Sequence, residues 1–171
     1  MCLLLGPTSS GKTLLTKKLK SNYDLKHGMA NIPSTLPTIG TNLVNISLNK
    51  KQEITVRELG GPMSPLWPNY LKDCNILIYV IDMSNRLQLS AACMLFLTVL
   101  TNPNLKDDCP VLVLLNKIDL ATSMSRLEFE SLFRWNDIVR HSKHKISIKE
   151  ISAVTGQGLS GVLEWMQQHS R

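Results

Sequence analysis

The eight residues GPTSSGKT, Gly6–Thr13, constrain the fold of this chain more than any other stretch. They fit the pattern G-x-x-x-x-G-K-[ST]; a short apolar strand pattern, Cys2–Leu5, precedes them and an amphipathic helix pattern, Lys12–Lys20, follows. Glycines let backbone N–H groups curl around phosphate oxygens, and a helix N-terminus adds positive charge. A glycine turn that merely caps a helix would also fit the letters, but the strand–loop–helix context favours phosphate binding.

The residue types of this loop predict separate roles. Lys12 is expected to reach the β- and γ-phosphates of a nucleotide, and the Thr13 hydroxyl is expected to ligate Mg²⁺. The other loop residues expected to contact the phosphates are Gly6, Ser9, Ser10, Gly11 and Leu14.

Length and composition predict one packed domain that spans residues 1–171, because 43% of the chain is hydrophobic. The net charge of +6 is scattered and only 5% of residues are aromatic, so nucleic-acid binding through a basic face is not expected. The four cysteines form no C-x-x-C pair, which argues against zinc or a disulfide framework and indicates reduced thiols in the cytosol or nucleus. We expect a cytoplasmic monomer.

Membrane attachment is not expected from the sequence. The longest apolar runs are about five to eight residues, which is too short to span a bilayer. The opening stretch MCLLLGPTSSGK lacks the basic region and cleavage site of a signal peptide, and residue 2 is Cys rather than Gly, which excludes N-myristoylation at this start.

Apolar runs alternate with helical patterns along the rest of the chain. Asn75–Asp82 and Pro110–Asp119 hold continuous branched runs typical of strands buried on both faces. Asn42–Leu48 and Glu53–Leu59, joined by a turn at NKKQ, predict a hairpin. We therefore expect an α/β sheet that is parallel except at the hairpin. The remaining predicted elements are a loop at Ser21–Leu36, helices at Leu87–Leu100, Ser125–Arg134 and Leu159–Gln168, and a strand at Lys145–Ile151.

The motif NKID, Asn116–Asp119, follows one of the buried strands and indicates which base is bound. An ionised Asp119 only accepts hydrogen bonds, so it can accept from the ring N–H and the exocyclic amine of guanine together, whereas adenine presents an acceptor there. Asn116 is expected at the other base edge, and the stem of Lys117 over the ring face. A polar strand-end turn would explain these letters alone, but their order and spacing after the phosphate loop favour guanine.

The stretch ISAVTGQG completes the predicted base site after the last strand. The Ala153 backbone N–H is placed to meet the guanine carbonyl. Leu120 and Ser152 are included in the predicted nucleotide site beside it.

With these three motifs in order, the chain resembles a Ras-type small GTPase. LPTIGTNL (Leu36–Leu43), ELGG and SPLWPNY (Ser64–Tyr70) extend the resemblance to the ADP-ribosylation factor and Arf-like branch, over nearly the whole chain. The resemblance implies a P-loop NTPase of Ras-like fold, with a six-stranded, mostly parallel sheet, one antiparallel hairpin and about five flanking helices. It also implies GTP or GDP and Mg²⁺ as ligands, and a GTP-dependent switch.

The resemblance also assigns the switch residues. Thr38 matches the switch I threonine that ligates Mg²⁺ and the γ-phosphate in the GTP state. Gly61, preceded by Gly60, matches the switch II glycine whose N–H meets the γ-phosphate. The hairpin Asn42–Leu59 matches the segment that slides in Arf proteins when the nucleotide changes. An effector, an exchange factor and an activating protein are the implied partners.

Two residues depart from the family pattern. Glu58 stands where the family has Asp, and its extra methylene is expected to disturb the water-mediated contact with Mg²⁺. Metal dependence is expected to persist through Thr13 and Thr38, in weakened form. Pro62 stands where the water-orienting glutamine lies; it has neither a side-chain amide nor an N–H, so we expect very slow intrinsic hydrolysis. Gly61 keeps its N–H, so sensing of the γ-phosphate is expected to survive. A proline that only stiffens the loop is the alternative.

The effector surface implied by the resemblance is also altered. Two of its apolar positions are Thr41 and Arg57 here, whereas Trp67 and Tyr70 keep their aromatic character. We expect partners that differ from those of typical Arf proteins, with the two aromatic residues either contacting them or packing on the hairpin. The family's N-terminal amphipathic helix is missing from this sequence, so no stable membrane anchor of that kind is expected.

Two other functions are compatible with parts of the pattern. The chain could hold GTP or GDP permanently and serve as an interaction module rather than as a switch. A small P-loop kinase is the third reading, but NKID and the lack of an Arg-rich lid argue against it.

Overall fold

The computed structural model describes residues 1–21, 38–49 and 51–170. Its centre is a six-stranded sheet in the order β2-β3-β1-β4-β5-β6. Every neighbouring pair is parallel except β2 and β3, which form the predicted antiparallel hairpin. The fold class expected from the sequence is therefore confirmed. The strands are β1 (Cys2–Leu5), β2 (Thr41–Asn49), β3 (Gln52–Leu59), β4 (Ile76–Asp82), β5 (Val111–Asn116) and β6 (Ile146–Glu150).

Five α-helices lie among the described residues, beside two 3₁₀ segments at Gly61–Asp73 and Arg86–Gln88. The predicted loop Ser21–Leu36 lies, apart from its first residue, outside the described residues. The described helices are α1 (Lys12–Lys20), α2 (Leu89–Leu100), α3 (Arg126–Leu132), α4 (Trp135–His141) and α5 (Leu159–His169).

The region after β5 differs from its prediction, because the single helix expected at Ser125–Arg134 is followed by a second one. Ser125 caps α3 by accepting the Glu128 N–H at 3.2 Å. Arg134 then adopts a left-handed backbone, with φ at 57°, which interrupts the helix and redirects the chain into α4. The Arg134 guanidinium also pairs with Asp137 at 2.6 Å in the first turn of α4.

The 3₁₀ segment Gly61–Asp73 was not predicted as a helix. Pro65 and Pro68 lie inside it, and prolines lack the N–H that an α-helix needs at each interior position. The segment is held instead by the burial of Trp67 and Leu71 against the sheet. Tertiary packing, rather than helix propensity, therefore makes this stretch helical.

The core lies on both faces of the sheet, since every residue of β1, β4 and β5 is buried. One face packs against α2, α3, α4 and the long 3₁₀ segment, and the other against α1 and α5. In α1 the residues that face the core are Leu15 and Leu19, as their four-residue spacing predicts. Each such buried leucine contributes about 2 kcal/mol to stability. No helix in the described part of the chain is long and apolar enough to cross a membrane.

Candidate nucleotide-binding site

The carboxyl ends of three neighbouring parallel strands place the candidate site. The phosphate loop follows β1, Asp82 ends β4 and Asn116 ends β5, directly opposite Asp82 in the register. Open α/β sheets bind ligands at this edge. A cavity of about 230 Å³ lies there, bounded by the phosphate loop, Thr38, Glu58, Gly61, Pro62 and Lys117.

The phosphate loop is closed around the Lys12 side chain. The ammonium donates to the carbonyl oxygens of Gly6 at 2.8 Å and Pro7 at 2.7 Å, and the whole residue is only 5% exposed. Burial lowers the pKa of Lys12 to about 8, and the nearby Glu58 carboxylate acts in the opposite direction. The loop therefore presents a cation that an anionic ligand would stabilise.

The three residues predicted to bind Mg²⁺ meet at one point. The hydroxyl oxygens of Thr13 and Thr38 lie 2.9 Å apart. The Glu58 Oε1 atom accepts a hydrogen bond from Thr13 and lies 3.4 Å from the Thr38 hydroxyl. Hydroxyl and carboxylate oxygens are the ligands that Mg²⁺ prefers, so this donor set fits the ion.

The two switch II glycines lie against switch I and the phosphate loop. The Gly60 N–H donates to the Gly40 carbonyl at 3.0 Å. A Cβ on Gly61 would lie 2.3 Å from the backbone nitrogen of Thr8 and 2.5 Å from its hydroxyl, so only glycine fits. Sequence reasoning did not single out Thr8, because it occupies one of the unspecified positions of the loop motif. Pro62 is exposed beside this contact.

Asn116, expected at one edge of the base, forms two hydrogen bonds within the protein. Its amide nitrogen donates to the Ser10 carbonyl at 2.8 Å, and its amide oxygen accepts the Ala153 N–H at 3.0 Å. The side chain is buried and its nitrogen lies beside Gly11, whose φ is 96° and whose Cβ would approach that nitrogen to 2.3 Å. Asn116 and Ala153, both expected to meet the base, therefore bind each other and join three loops. Asn116 and Ala153 come together because β5 and β6 are neighbouring parallel strands whose carboxyl ends lie side by side.

Lys117 forms a contact that sequence reasoning missed. Its backbone is left-handed, with φ at 70°, and its ammonium pairs with Asp82 at 2.6 Å. Asp82 is 6% exposed and also accepts from the backbone and hydroxyl of Ser84. The register that sets Asp82 at the end of β4 opposite Asn116 at the end of β5 brings the side chains of Lys117 and Asp82 together. The pair fixes the lysine stem along the cavity.

The remaining predicted base residues are Asp119, Leu120 and Ser152. Asp119 and Leu120 are exposed, and so can be reached by a ligand. Ser152 is fully buried, and its hydroxyl accepts the Thr155 N–H at 3.0 Å, which shapes the loop after β6.

Of the predicted effector-surface residues, Trp67 requires a correction. It is 1% exposed, donates from its ring nitrogen to the Gly60 carbonyl at 3.2 Å and packs edge-on against Tyr79. Trp67 is therefore a core residue that holds switch II. Tyr70 is half-buried, with the Arg57 guanidinium 5.3 Å from its ring centre, and Thr41 is exposed.

Comparison with known proteins gives a family match over almost the full chain. Residues 1–170 match the ADP-ribosylation factor family. Human ADP-ribosylation factor-like protein 16 is 47% identical over 173 residues, covering 100% of this chain and 86% of the human protein. ADP-ribosylation factor-like protein 3 of Saccharomyces cerevisiae is 30% identical over 167 residues, covering 96% of this chain and 82% of the yeast protein.

Among solved structures, the Arl6 BBS3 small GTPase of Trypanosoma brucei with bound GppNp matches the fold. Its TM-score is 0.82, and the match covers 98% of this chain and 94% of that one at 21% sequence identity. The match supports the Ras-like architecture described above. Taken with the family match along residues 1–170, it leads to one conclusion: the chain belongs to the ADP-ribosylation factor family of small GTPases.

Proposed function

We propose that this protein is a Mg²⁺-dependent switch that binds GTP and GDP and hydrolyses GTP very slowly without help. One observation carries the proposal: Thr38 and Gly61, the residues matched to switch I and switch II, both touch the phosphate loop at residues that line one cavity. Thr38 lies 2.9 Å from Thr13, and Gly61 lies against Thr8. A ligand biases two states only through contacts that differ between them. The γ-phosphate is the one part of GTP that GDP lacks.

The site residues divide the work of binding the phosphates. Lys12 would exchange its carbonyl partners for phosphate oxygens, which restores the full charge of its ammonium. The Gly61 N–H would donate to the γ-phosphate, and Thr13 with Thr38 and Glu58 would hold Mg²⁺. The ion would neutralise the charge on the phosphate oxygens. Asp119, which is exposed, would select guanine.

Slow hydrolysis follows from Pro62. Proline cannot orient an attacking water through an amide, and a stand-alone Ras GTPase with its glutamine already turns over at only about 10⁻⁴ per second. We expect this protein to be slower, unless an activating protein supplies the missing group.

The partner surface that we propose comprises residues next to Thr38, on the hairpin of β2 and β3, and in the long 3₁₀ segment. Ile39 is 83% exposed, and Leu43 and Leu66 are also exposed. Thr41, Arg57 and Tyr70 contribute polar and aromatic groups to this surface. An effector bound there would sense the nucleotide, because Thr38 and Gly61 belong to the same segments.

The second candidate, an interaction module that keeps one nucleotide permanently, is also favoured by Pro62. Exchange kinetics separate the two. A switch releases labelled GDP within minutes to hours, at a rate that rises when Mg²⁺ is chelated, and captures partners only in its GTP form.

The experiment that tests the proposal is nucleotide identification after denaturing the purified protein, followed by exchange and pull-down in both nucleotide states. Thr13→Asn should weaken Mg²⁺ coordination and abolish GTP-dependent capture. Capture that is equal with GTP and GDP would contradict the switch.

A further inference from the structure

We propose that the Glu58 carboxylate ligates Mg²⁺ directly in this protein, where the shorter Asp of the family pattern would reach the ion through a water. The inference rests on the proposed function, because it concerns the Mg²⁺ that accompanies GTP or GDP. It reverses the effect expected from having Glu rather than Asp at position 58: Glu58 would strengthen metal binding rather than weaken it.

The two hydroxyls near Glu58 are spaced as ligands of one ion. Mg²⁺ takes six ligands at about 2.0–2.1 Å in a nearly ideal octahedron, so neighbouring ligand oxygens lie about 2.9–3.0 Å apart. The oxygens of Thr13 and Thr38 are 2.9 Å apart. This separation equals one octahedral edge, and in this structure it is spanned by a hydrogen bond between the two hydroxyls.

The Glu58 Oε1 atom lies close to both hydroxyl oxygens. It touches the Thr13 oxygen and lies 3.4 Å from the Thr38 oxygen. The triangle of the three oxygens is small enough for one ion to contact all of them at about 2.1 Å. An oxygen that reached the ion through a water would lie roughly 4 Å from it, at the sum of a metal–oxygen and a hydrogen-bond distance.

The backbone of β3 and a further threonine fix the carboxylate in this direction. Glu58 is paired with Leu4 of β1 and Asn42 of β2, so its strand position is set from both sides. Its second oxygen lies 3.5 Å from the Thr16 hydroxyl, which itself donates to the Thr13 carbonyl at 2.9 Å. Glu58 Oε1 is thereby left for Thr13 and Thr38.

The burial of Glu58 favours binding of a cation by its carboxylate. Glu58 is fully buried, and within the described ranges its oxygens are hydrogen-bonded only by the hydroxyls of Thr13, Thr16 and Thr38. A buried carboxylate without an ion pair carries a large desolvation penalty, which direct bonding to a divalent cation offsets. Lys12 is near enough to act on it electrostatically but donates to carbonyls instead.

The test counts the waters on the ion. The protein is loaded with GDP and with Mn²⁺ in place of Mg²⁺. The broadening of the electron paramagnetic resonance lines of Mn²⁺ in ¹⁷O-enriched water then gives the number of water molecules bound to the ion. We expect Glu58→Asp to hold one more water than the wild type. Glu53→Asp is the matched control, because it makes the same change on the same strand at an exposed position bonded to Ser47. It should match the wild type.

The wild-type count is decisive even if Glu58→Asp folds poorly. Thr13, Glu58 and one diphosphate oxygen would leave roughly three waters on a six-coordinate ion. Four waters, or equal counts in the wild type and Glu58→Asp, would overturn the inference while leaving nucleotide binding intact. A protein that binds no guanine nucleotide at all would overturn the proposed function as well.

A second readout is the free Mg²⁺ concentration at which GDP release is half-suppressed. Loss of a charged ligand should raise this concentration at least roughly tenfold in Glu58→Asp and in Glu58→Gln, by analogy with the effect of losing one charge-assisted contact. An unchanged or lower concentration in both variants would contradict direct ligation.

Discussion

Gly61 packs so closely against Thr8 that a Cβ on the glycine would lie 2.3 Å from the threonine backbone nitrogen. This contact joins the ELGG motif to the phosphate loop. Any side chain at position 61 would force the ELGG motif and the phosphate loop apart.

Gly61→Ala should therefore lower the affinity for GTP much more than that for GDP. We expect a loss of roughly tenfold or more for GTP, the equivalent of one hydrogen bond to a charged group, and at most a few-fold loss for GDP. Titration of the two fluorescent nucleotides measures both. Gly40→Ala is the control, since its Cβ would meet nothing within 4 Å. Equal losses for the two nucleotides would contradict the γ-phosphate contact.

Nucleotide affinity should depend on the charge of Lys12. Burial lowers the pKa of this ammonium to about 8, and the phosphates of a bound nucleotide should raise it again, so binding takes up a proton above pH 8. Affinity should be constant below pH 8 and fall above it, by at most tenfold per pH unit. Lys12→Met should bind weakly and lose this pH dependence.

The same lowered pKa affects the stability of the nucleotide-free protein in the opposite direction. Since the folded pKa lies below the ordinary value of 10.5, the unfolded chain binds more protons between about pH 8 and 10.5. The contribution of Lys12 to the free energy of unfolding should therefore rise over this window. The difference between wild type and Lys12→Met in urea denaturation at pH 7.5 and 9.5 measures it, and a contribution that falls with pH would be inconsistent with the buried ammonium.

Substitutions of Asn116 and Asp119 should have different effects, the first on stability and the second on nucleotide affinity. Asn116→Ala leaves the Ser10 carbonyl and the Ala153 N–H without their partner, which should lower the free energy of unfolding by about 2–4 kcal/mol even without nucleotide. Asp119→Ala removes an exposed carboxylate, so stability should stay within about 0.5 kcal/mol while GTP affinity falls strongly. Thermal denaturation and nucleotide titration of both variants check this division. A stable Asn116→Ala protein would refute the structural role.

Pro62→Gln should raise the hydrolysis rate. Glutamine would return an amide beside the γ-phosphate position, and the expected gain is roughly tenfold or more in a single-turnover assay at saturating protein. Pro62→Ala removes the ring without adding an amide, so it should stay near the wild-type rate. If alanine accelerates hydrolysis as much as glutamine does, stiffness of the loop rather than the missing amide is the cause.

Much of this architecture can be predicted from periodicity and motif order. The buried runs of β4 and β5, the hairpin and the phosphate loop each carry a local signal, and α1 begins and ends where its pattern indicates. The 3₁₀ segment escaped prediction because its prolines argue against a helix, and burial of Trp67 outweighs them. Helix α4 escaped because one left-handed residue, Arg134, separates it from α3.

The site shows the same limit. Residue types predicted which side chains converge, and Thr13, Thr38 and Glu58 do converge. Pairings between strands are set by the register of the sheet, however. The Lys117–Asp82 ion pair and the Asn116–Ala153 hydrogen bond therefore could not be predicted from the local sequence.

Binding of a guanine nucleotide can be measured by calorimetric titration of the folded protein, stripped of nucleotide, with GTP, GDP and ATP in the presence of Mg²⁺. We expect one tight site for GTP and for GDP and no competition by ATP. Failure to bind either guanine nucleotide, or displacement of GTP by equimolar ATP, would contradict it.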